Sequence, residues 1–190
     1  MFEVRIHGRG GQGVVTAAEL LSLAAFEDGH HVQAFPSFGS ERTGAPVVSY
    51  CRISDNEIRT REPILAPDAL IVQDATLLQQ ADVFAGLKPE GYVIINSTKT
   101  IADLGLSDLL EGRDPSRIVT VPATDIAREH IGRPVPNVVL LGALSALTGR
   151  FRVDAIGHAL RHKFPEKLAA ANAAAAQAAY DLIAKEPANA

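Results

Sequence analysis

Near the start of the chain, Gly8, Arg9, Gly10, Gly11, Gln12 and Gly13 spell "GRGGQG" between an apolar strand pattern and an apolar helix pattern. Gly8, Gly10 and Gly13 satisfy G-x-G-x-x-G. In that setting the missing side chains let backbone N–H groups and a helix N-terminus approach a phosphate. The chemistry on offer is therefore the holding of a nucleotide-like anion. Glycines in such a turn also serve the plain purpose of packing a helix closely on a sheet. Packing alone, however, does not ask for the polar side chains of Arg9 and Gln12. A nicotinamide dinucleotide site places Asp or Glu at the end of the second strand, and "VQAFPSF" (Val32 to Phe38) has neither.

Other reactive residue types are less well arranged. His158 and His162 are four apart in "HALRHKF", a metal-ligand spacing without a third ligand, so a solvated helix face is expected. Cys51, midway along an apolar run, reads as a small buried residue. No nucleophilic triad or carboxylate pair follows from spacing, so no catalytic residue is assigned and no metal site is expected. In "GSERTG" (Gly39 to Gly44), a glycine-flanked loop, Glu41 and Arg42 read either as a surface ion pair, worth little on its own, or as a site where the Arg42 fork of donors meets a phosphate or a neighbouring carboxylate.

The elements that must position these residues follow from periodicity. Phe2, Val4 and Ile6 alternate with Glu3, Arg5 and His7, predicting a strand. Val14, Ala17, Ala18, Leu21, Ala24 and Ala25 then recur on one helical face. His30 to Phe35 makes a second strand, and the glycines and prolines of Phe35 to Pro46 predict a long loop. Val47–Ser54 and Glu57–Arg61 flank Asp55-Asn56 and predict a hairpin. Ala69–Asp74 and Gly91–Asn96 are apolar runs suited to central strands, with a helix predicted between them at about Leu77–Ala85. Arg117–Ala123 predicts a further strand, followed by a helix that Thr124 or Asp125 can cap. From Asn137, expected as an N-cap, the pattern stays helical through Asp154–Phe164 and Glu166–Lys185. These readings give an α/β fold: a three-layer Rossmann-like sandwich with a mixed, mostly parallel sheet and a helical C-terminal region. No linker divides residues 1–190, so one domain is expected.

Composition narrows the partners. A net charge of −4, with the basic residues scattered, leaves no electrostatic footprint for nucleic acid or an anionic membrane. One cysteine can form no internal disulfide, nor by itself anchor an iron–sulfur cluster. The first residues lack the pattern of a signal peptide, and the longest apolar run, "VVLLGALSAL", is too short for a membrane span; the expected location is the cytoplasm.

"GRGGQG" followed by "AFPSFGSERTGAPVVSYCRISD" resembles the gamma subunit, or gamma domain, of the 2-oxoacid:ferredoxin oxidoreductases, the thiamine-dependent enzymes that include pyruvate synthase. The resemblance runs on through "PDALIVQDATLL", "GLKPEGYVIINS" and "IGRPVPNVVLLGAL" and so covers most of the chain. It implies a multi-subunit enzyme that oxidatively decarboxylates a 2-oxoacid to acyl-CoA and CO2. Coenzyme A is the acyl acceptor, and electrons leave through iron–sulfur clusters to ferredoxin. Thiamine pyrophosphate, Mg and the clusters are then expected in alpha-, beta- and delta-type partner subunits, with ferredoxin or a further acceptor subunit at the level of the complex. This chain would carry no cofactor and no activity alone, supporting assembly and coenzyme A binding. The residues expected to serve that role are Gly8, Arg9, Gly10, Gly11, Gln12 and Gly13 together with Glu41, Arg42, Thr43 and Gly44. A stand-alone NAD-dependent dehydrogenase and a nucleotide-binding regulatory module are the alternatives.

Overall fold

The computed structural model describes residues 1–37, 43–108 and 111–185. Its strands are β1 (Phe2–Arg9), β2 (His31–Pro36), β3 (Pro46–Ser54), β4 (Ala69–Val72), β5 (Tyr92–Asn96) and β6 (Ile118–Val121). They form one sheet in the order β2-β3-β1-β4-β5-β6. Parallel pairing joins β1 to β4, β4 to β5 and β5 to β6, and only β3 runs against its neighbours, β1 and β2. The sheet is thus mixed and mostly parallel, as expected. The helices are α1 (Val14–Glu27), α2 (Ala123–Ile131), α3 (Asn137–Thr148), α4 (Val153–Lys163) and α5 (Glu166–Lys185).

All five helices contribute to one hydrophobic cluster on a single face of the sheet, where Val4, Ile6, Cys51, Ile71, Ile94 and Val121 meet them. Helix α3 is buried from Asn137 to Ser145, which is why its sequence is apolar all round. Its Gly142 lies so close to α5 that any side chain there would strike the Ala176 carbonyl.

The opposite face is covered differently. Leu70, Val72, Val93 and Ile95 pack under Leu77, Val83, Leu87 and Leu106, which come from turns rather than α-helices. Where a helix was expected at about Leu77–Ala85, the chain makes a short 3-10 turn, Ala75–Gln79, and then bends. Carbonyls outside a helix need other donors, and two arginines, Arg5 buried and Arg113 partly exposed, supply them. Arg5 donates to the carbonyls of Ile64, Val83 and Ala85, and Arg113 to those of Leu87, Lys88 and Pro89. Arg5 also donates through Nε to Nε2 of His7 at 3.0 Å.

Three local expectations change. Glu57–Arg61 is no strand: Ile58 is its only apolar residue, so pairing would bury nothing, and β3 instead inserts between β1 and β2. Neither Thr124 nor Asp125 caps α2; Pro122 occupies that position, and the Thr124 N–H donates to Asn96 Oδ1 at 3.1 Å. Asn137 is not a cap but the first residue of α3, with Pro136 before it.

Candidate functional site

Strand β1 runs into the glycine turn, and each glycine there answers a different constraint. A Cβ on Gly8 would come within 2.6 Å of Val14 Cγ2, and one on Gly13 within 2.5 Å of Asn137 Nδ2. These two positions admit no side chain because α1 and α3 press against the turn. Gly11 differs: its φ of +93° demands glycine, yet nothing lies within 4 Å of where its Cβ would be. Its backbone is therefore open to approach from outside.

Polar side chains brace the turn from within. Gln12 accepts the Arg9 N–H through Oε1 at 2.8 Å and donates through Nε2 to Asp74 Oδ2 at 3.0 Å. Arg9 Nε donates to the same oxygen at 3.1 Å, while Nη1 reaches the Gly44 carbonyl and Nη2 reaches Thr76 and Gln80. Arg9 and Gln12 thus have structural work without any ligand, contrary to the reading that packing would not ask for them. Asn137 adds a third brace, donating to the Gly13 carbonyl at 3.2 Å.

Asp74, just beyond β4, is the centre of this network and was not singled out by the sequence analysis. Its Oδ1 accepts from the backbone N–H of Thr76 at 3.0 Å and from the Thr76 hydroxyl. Partial burial would raise the Asp74 carboxyl, but hydrogen bonds from Thr76 and Gln12 and the charge of Arg9 outweigh it and hold the group below the ordinary carboxylate range. The available signal was "QDAT": an acid directly after a central strand, two residues before a threonine.

The return loop joins the same place. Gly10 donates to the Ala45 carbonyl at 2.9 Å, Gly44 donates to the Gly10 carbonyl at 3.0 Å, and Thr43 bridges to Gly10. Gly8 to Gly13, Thr43 and Gly44 are therefore one cluster; Glu41 and Arg42 lie outside the described residues. Beside it, α1 begins without a side-chain cap, so its first N–H groups have no intrahelical partner. Arg9, Gly10, Gly11, Gly13 and the first turn of α1 line a shallow cleft of about 330 Å³.

A larger cleft of about 480 Å³, unforeseen from the sequence, opens at the C-terminal ends of the parallel strands, lined by Thr76, Asn96, Ser97, Thr98, Lys99, Thr124 and Asp125 among others. Asn96 sets its floor by donating to the Gln73 carbonyl at 2.9 Å and to the Thr124 hydroxyl at 2.8 Å. The smaller cleft lies at the end of β1, beside the point where the chain order reverses between β1 and β4, the place where open α/β sheets bind ligands; the larger lies beyond the ends of β4, β5 and β6.

A dinucleotide fits poorly. In the register of β3 against β1, Gly8 faces Val47 and Arg9 faces Pro46, so β3 offers no acid for a ribose and β2 is one strand further away; on the other side, Asp74 after β4 is already engaged by Arg9, Gln12 and Thr76. Elsewhere, Cys51 is fully buried, which pushes its thiol up, and His158 and His162 are exposed, His162 lying 3.5 Å from Glu27. No group of His, Cys, Asp or Glu suited to a metal occurs among the described residues.

The family model described as pyruvate ferredoxin/flavodoxin oxidoreductase matches residues 3–182. The chain belongs to this family, as a gamma-type subunit. It is 52% identical over 161 residues to pyruvate synthase subunit PorC of Methanosarcina barkeri, covering 85% of each chain. It is 46% identical to the pyruvate/ketoisovalerate oxidoreductases common subunit gamma of Pyrococcus furiosus, covering 95% of this chain and 96% of that one. Among solved structures, the pyruvate oxidoreductase subunit PorC of Thermotoga maritima superposes on the gamma-type chain with a TM-score of 0.81 at 37% identity, over 95% of both. The gamma-type fold also recurs within a longer chain, the 2-oxoglutarate:ferredoxin oxidoreductase of Magnetococcus marinus. There it covers 32% of that chain with a TM-score of 0.77 at 21% identity. Among the described residues of the gamma-type chain, no helix is long and apolar enough to cross a membrane.

Proposed function

We propose that this gamma-type subunit serves a complex that oxidatively decarboxylates a 2-oxoacid to acyl-CoA and CO2, and that its part is assembly and the binding of coenzyme A. Alpha-, beta- and delta-type partners supply thiamine pyrophosphate, Mg and iron–sulfur clusters, and ferredoxin takes the electrons. The observation that carries this reading is the outward-facing backbone at Gly11 beside the uncapped start of α1. Such N–H groups and the helix dipole suit the phosphates of coenzyme A. Gly10, Gly11 and Gly13 form the contact surface, with Thr43 and Gly44 closing one side; Gly8, buried against Val14, lets α1 start close to the sheet, and Arg9 and Gln12 hold the turn's shape. From the sequence, Glu41 and Arg42 extend it, and Arg42→Ala raises the Michaelis constant for coenzyme A or releases the subunit. In support, the Magnetococcus marinus enzyme that shares this fold has coenzyme A and succinyl-CoA bound.

The test is purification of the native complex, identification of its subunits by mass, and an assay of acyl-CoA formation over a panel of 2-oxoacids. Activity in the complex and none in the isolated chain is expected. A chain that purifies alone, or that reduces NAD without partners, contradicts the proposal.

A further inference from the structure

We infer that Asn137, which meets no ligand itself, is a positioning residue for coenzyme A: it sets the direction in which the first N–H of α1 points. The inference rests on the coenzyme A reading of the glycine turn and adds to it a residue 124 positions away in sequence.

Gly13 stands at the start of α1 in the left-handed region, with φ 70° and ψ 35°. Its carbonyl accepts the first bond of the helix, from the Ala17 N–H at 2.9 Å, and Asn137 Nδ2 donates to the same oxygen at 3.2 Å. Two donors on one carbonyl fix the plane of that peptide unit. The other end of the unit is the Val14 N–H, and because the peptide is planar and trans it points the opposite way, out of the start of the helix. Gly13, Val14, Val15 and Thr16 line the 330 Å³ cleft on that side.

Asn137 is itself held. Its Oδ1 accepts the Val138 N–H at 2.9 Å, so Nδ2 is the end that faces Gly13, and a Cβ on Gly13 would come within 2.5 Å of it. It opens α3, which is buried from Asn137 to Ser145, whereas Arg9 and Gln12 hold the turn from its partly exposed side. Helix packing alone would take an apolar residue here: Asn137 is only 5% exposed, Val138 to Leu141 follow it, and a buried amide is costly unless bonded. The other buried amide of this region does not share the task. Gln73, beside Gly8, is 1% exposed, and neither its Oε1 nor its Nε2 has a partner among the described residues. Side-chain support of the Gly13 carbonyl therefore falls to Asn137.

Steady-state kinetics of the intact complex with Asn137→Leu and Asn137→Ser test the inference, with Gly11→Val run beside them. Both Asn137 variants should raise the Michaelis constant for coenzyme A by about fivefold or more, the scale of one lost hydrogen bond. Because Asn137 orients a binding group and no reacting one, kcat and the constant for the 2-oxoacid should stay at the parent values. An unchanged constant for coenzyme A, an equal rise in both Michaelis constants, a fall in kcat alone, or failure of both variants to assemble overturns the inference. If Gly11→Val leaves the coenzyme A constant unchanged, the coenzyme A reading falls and the role of Asn137 with it. If Gly11→Val raises that constant and the Asn137 variants do not, the role of Asn137 alone falls.

Discussion

Arg9 and Asp74, 65 residues apart in sequence, meet through Arg9 Nε and Asp74 Oδ2 at 3.1 Å, and this contact ties the turn after β1 to the turn after β4. Because Gln12 donates to the same carboxylate oxygen, the shape of the glycine turn depends on a residue from another strand. Asp74→Ala removes the shared acceptor and leaves both donors partly buried and unpaired. A loss of about 2 kcal/mol in denaturant unfolding is expected. Arg9→Lys should not restore function, since an ammonium cannot reach Asp74, Gly44, Thr76 and Gln80 together. Wild-type stability in Asp74→Ala would show that the turn holds itself.

Helix packing gives a paired prediction at two glycines. At Gly142 a new methyl would collide with the Ala176 carbonyl, so Gly142→Ala should cost about 2 kcal/mol or more as α3 and α5 separate. At Gly157 in α4 the same methyl would lie 3.6 Å from Ala173, an ordinary contact. Gly157→Ala should therefore stabilise by up to about 1 kcal/mol through helix propensity alone. Thermal and urea unfolding of the two variants should move in opposite directions.

His7 predicts a pH dependence. Burial first, and then the charge of Arg5, pushes its imidazole down from 6.5 to about 4. The unfolded chain binds that proton from about pH 6.5 downward and the folded chain only near pH 4, so stability rises with pH across this window and falls on acidification. The contribution is about 3 kcal/mol between the two ends. His7→Gln, which keeps an acceptor for Arg5, should flatten the profile between pH 4 and 6.5 relative to the parent in chemical unfolding.

Much of the frame was legible because its signals are local. The alternation of Phe2, Val4 and Ile6, the apolar runs of β4 and β5 and the apolar face of α1 each report burial within a few residues. What escaped depends on distant partners. The insertion of β3 between β1 and β2 is fixed by pairing across the chain, whereas the Asp55-Asn56 turn suggested a neighbour that has almost nothing to bury. The helix expected near Leu77–Ala85 gave way to turns whose carbonyls are satisfied by Arg5, about 80 residues upstream. The Arg9–Asp74 contact escaped for the same reason, although the glycines themselves marked the place.

The central claim is that the backbone of the glycine turn meets coenzyme A, and hydrogen exchange measured on the intact complex with and without coenzyme A tests it most directly. The account predicts slowed exchange at the amides of residues 10–16 when coenzyme A is present, with Gly11→Val raising the Michaelis constant for coenzyme A in complexes that still assemble. Unchanged exchange over those residues, in a complex whose other subunits become protected by coenzyme A, would contradict it.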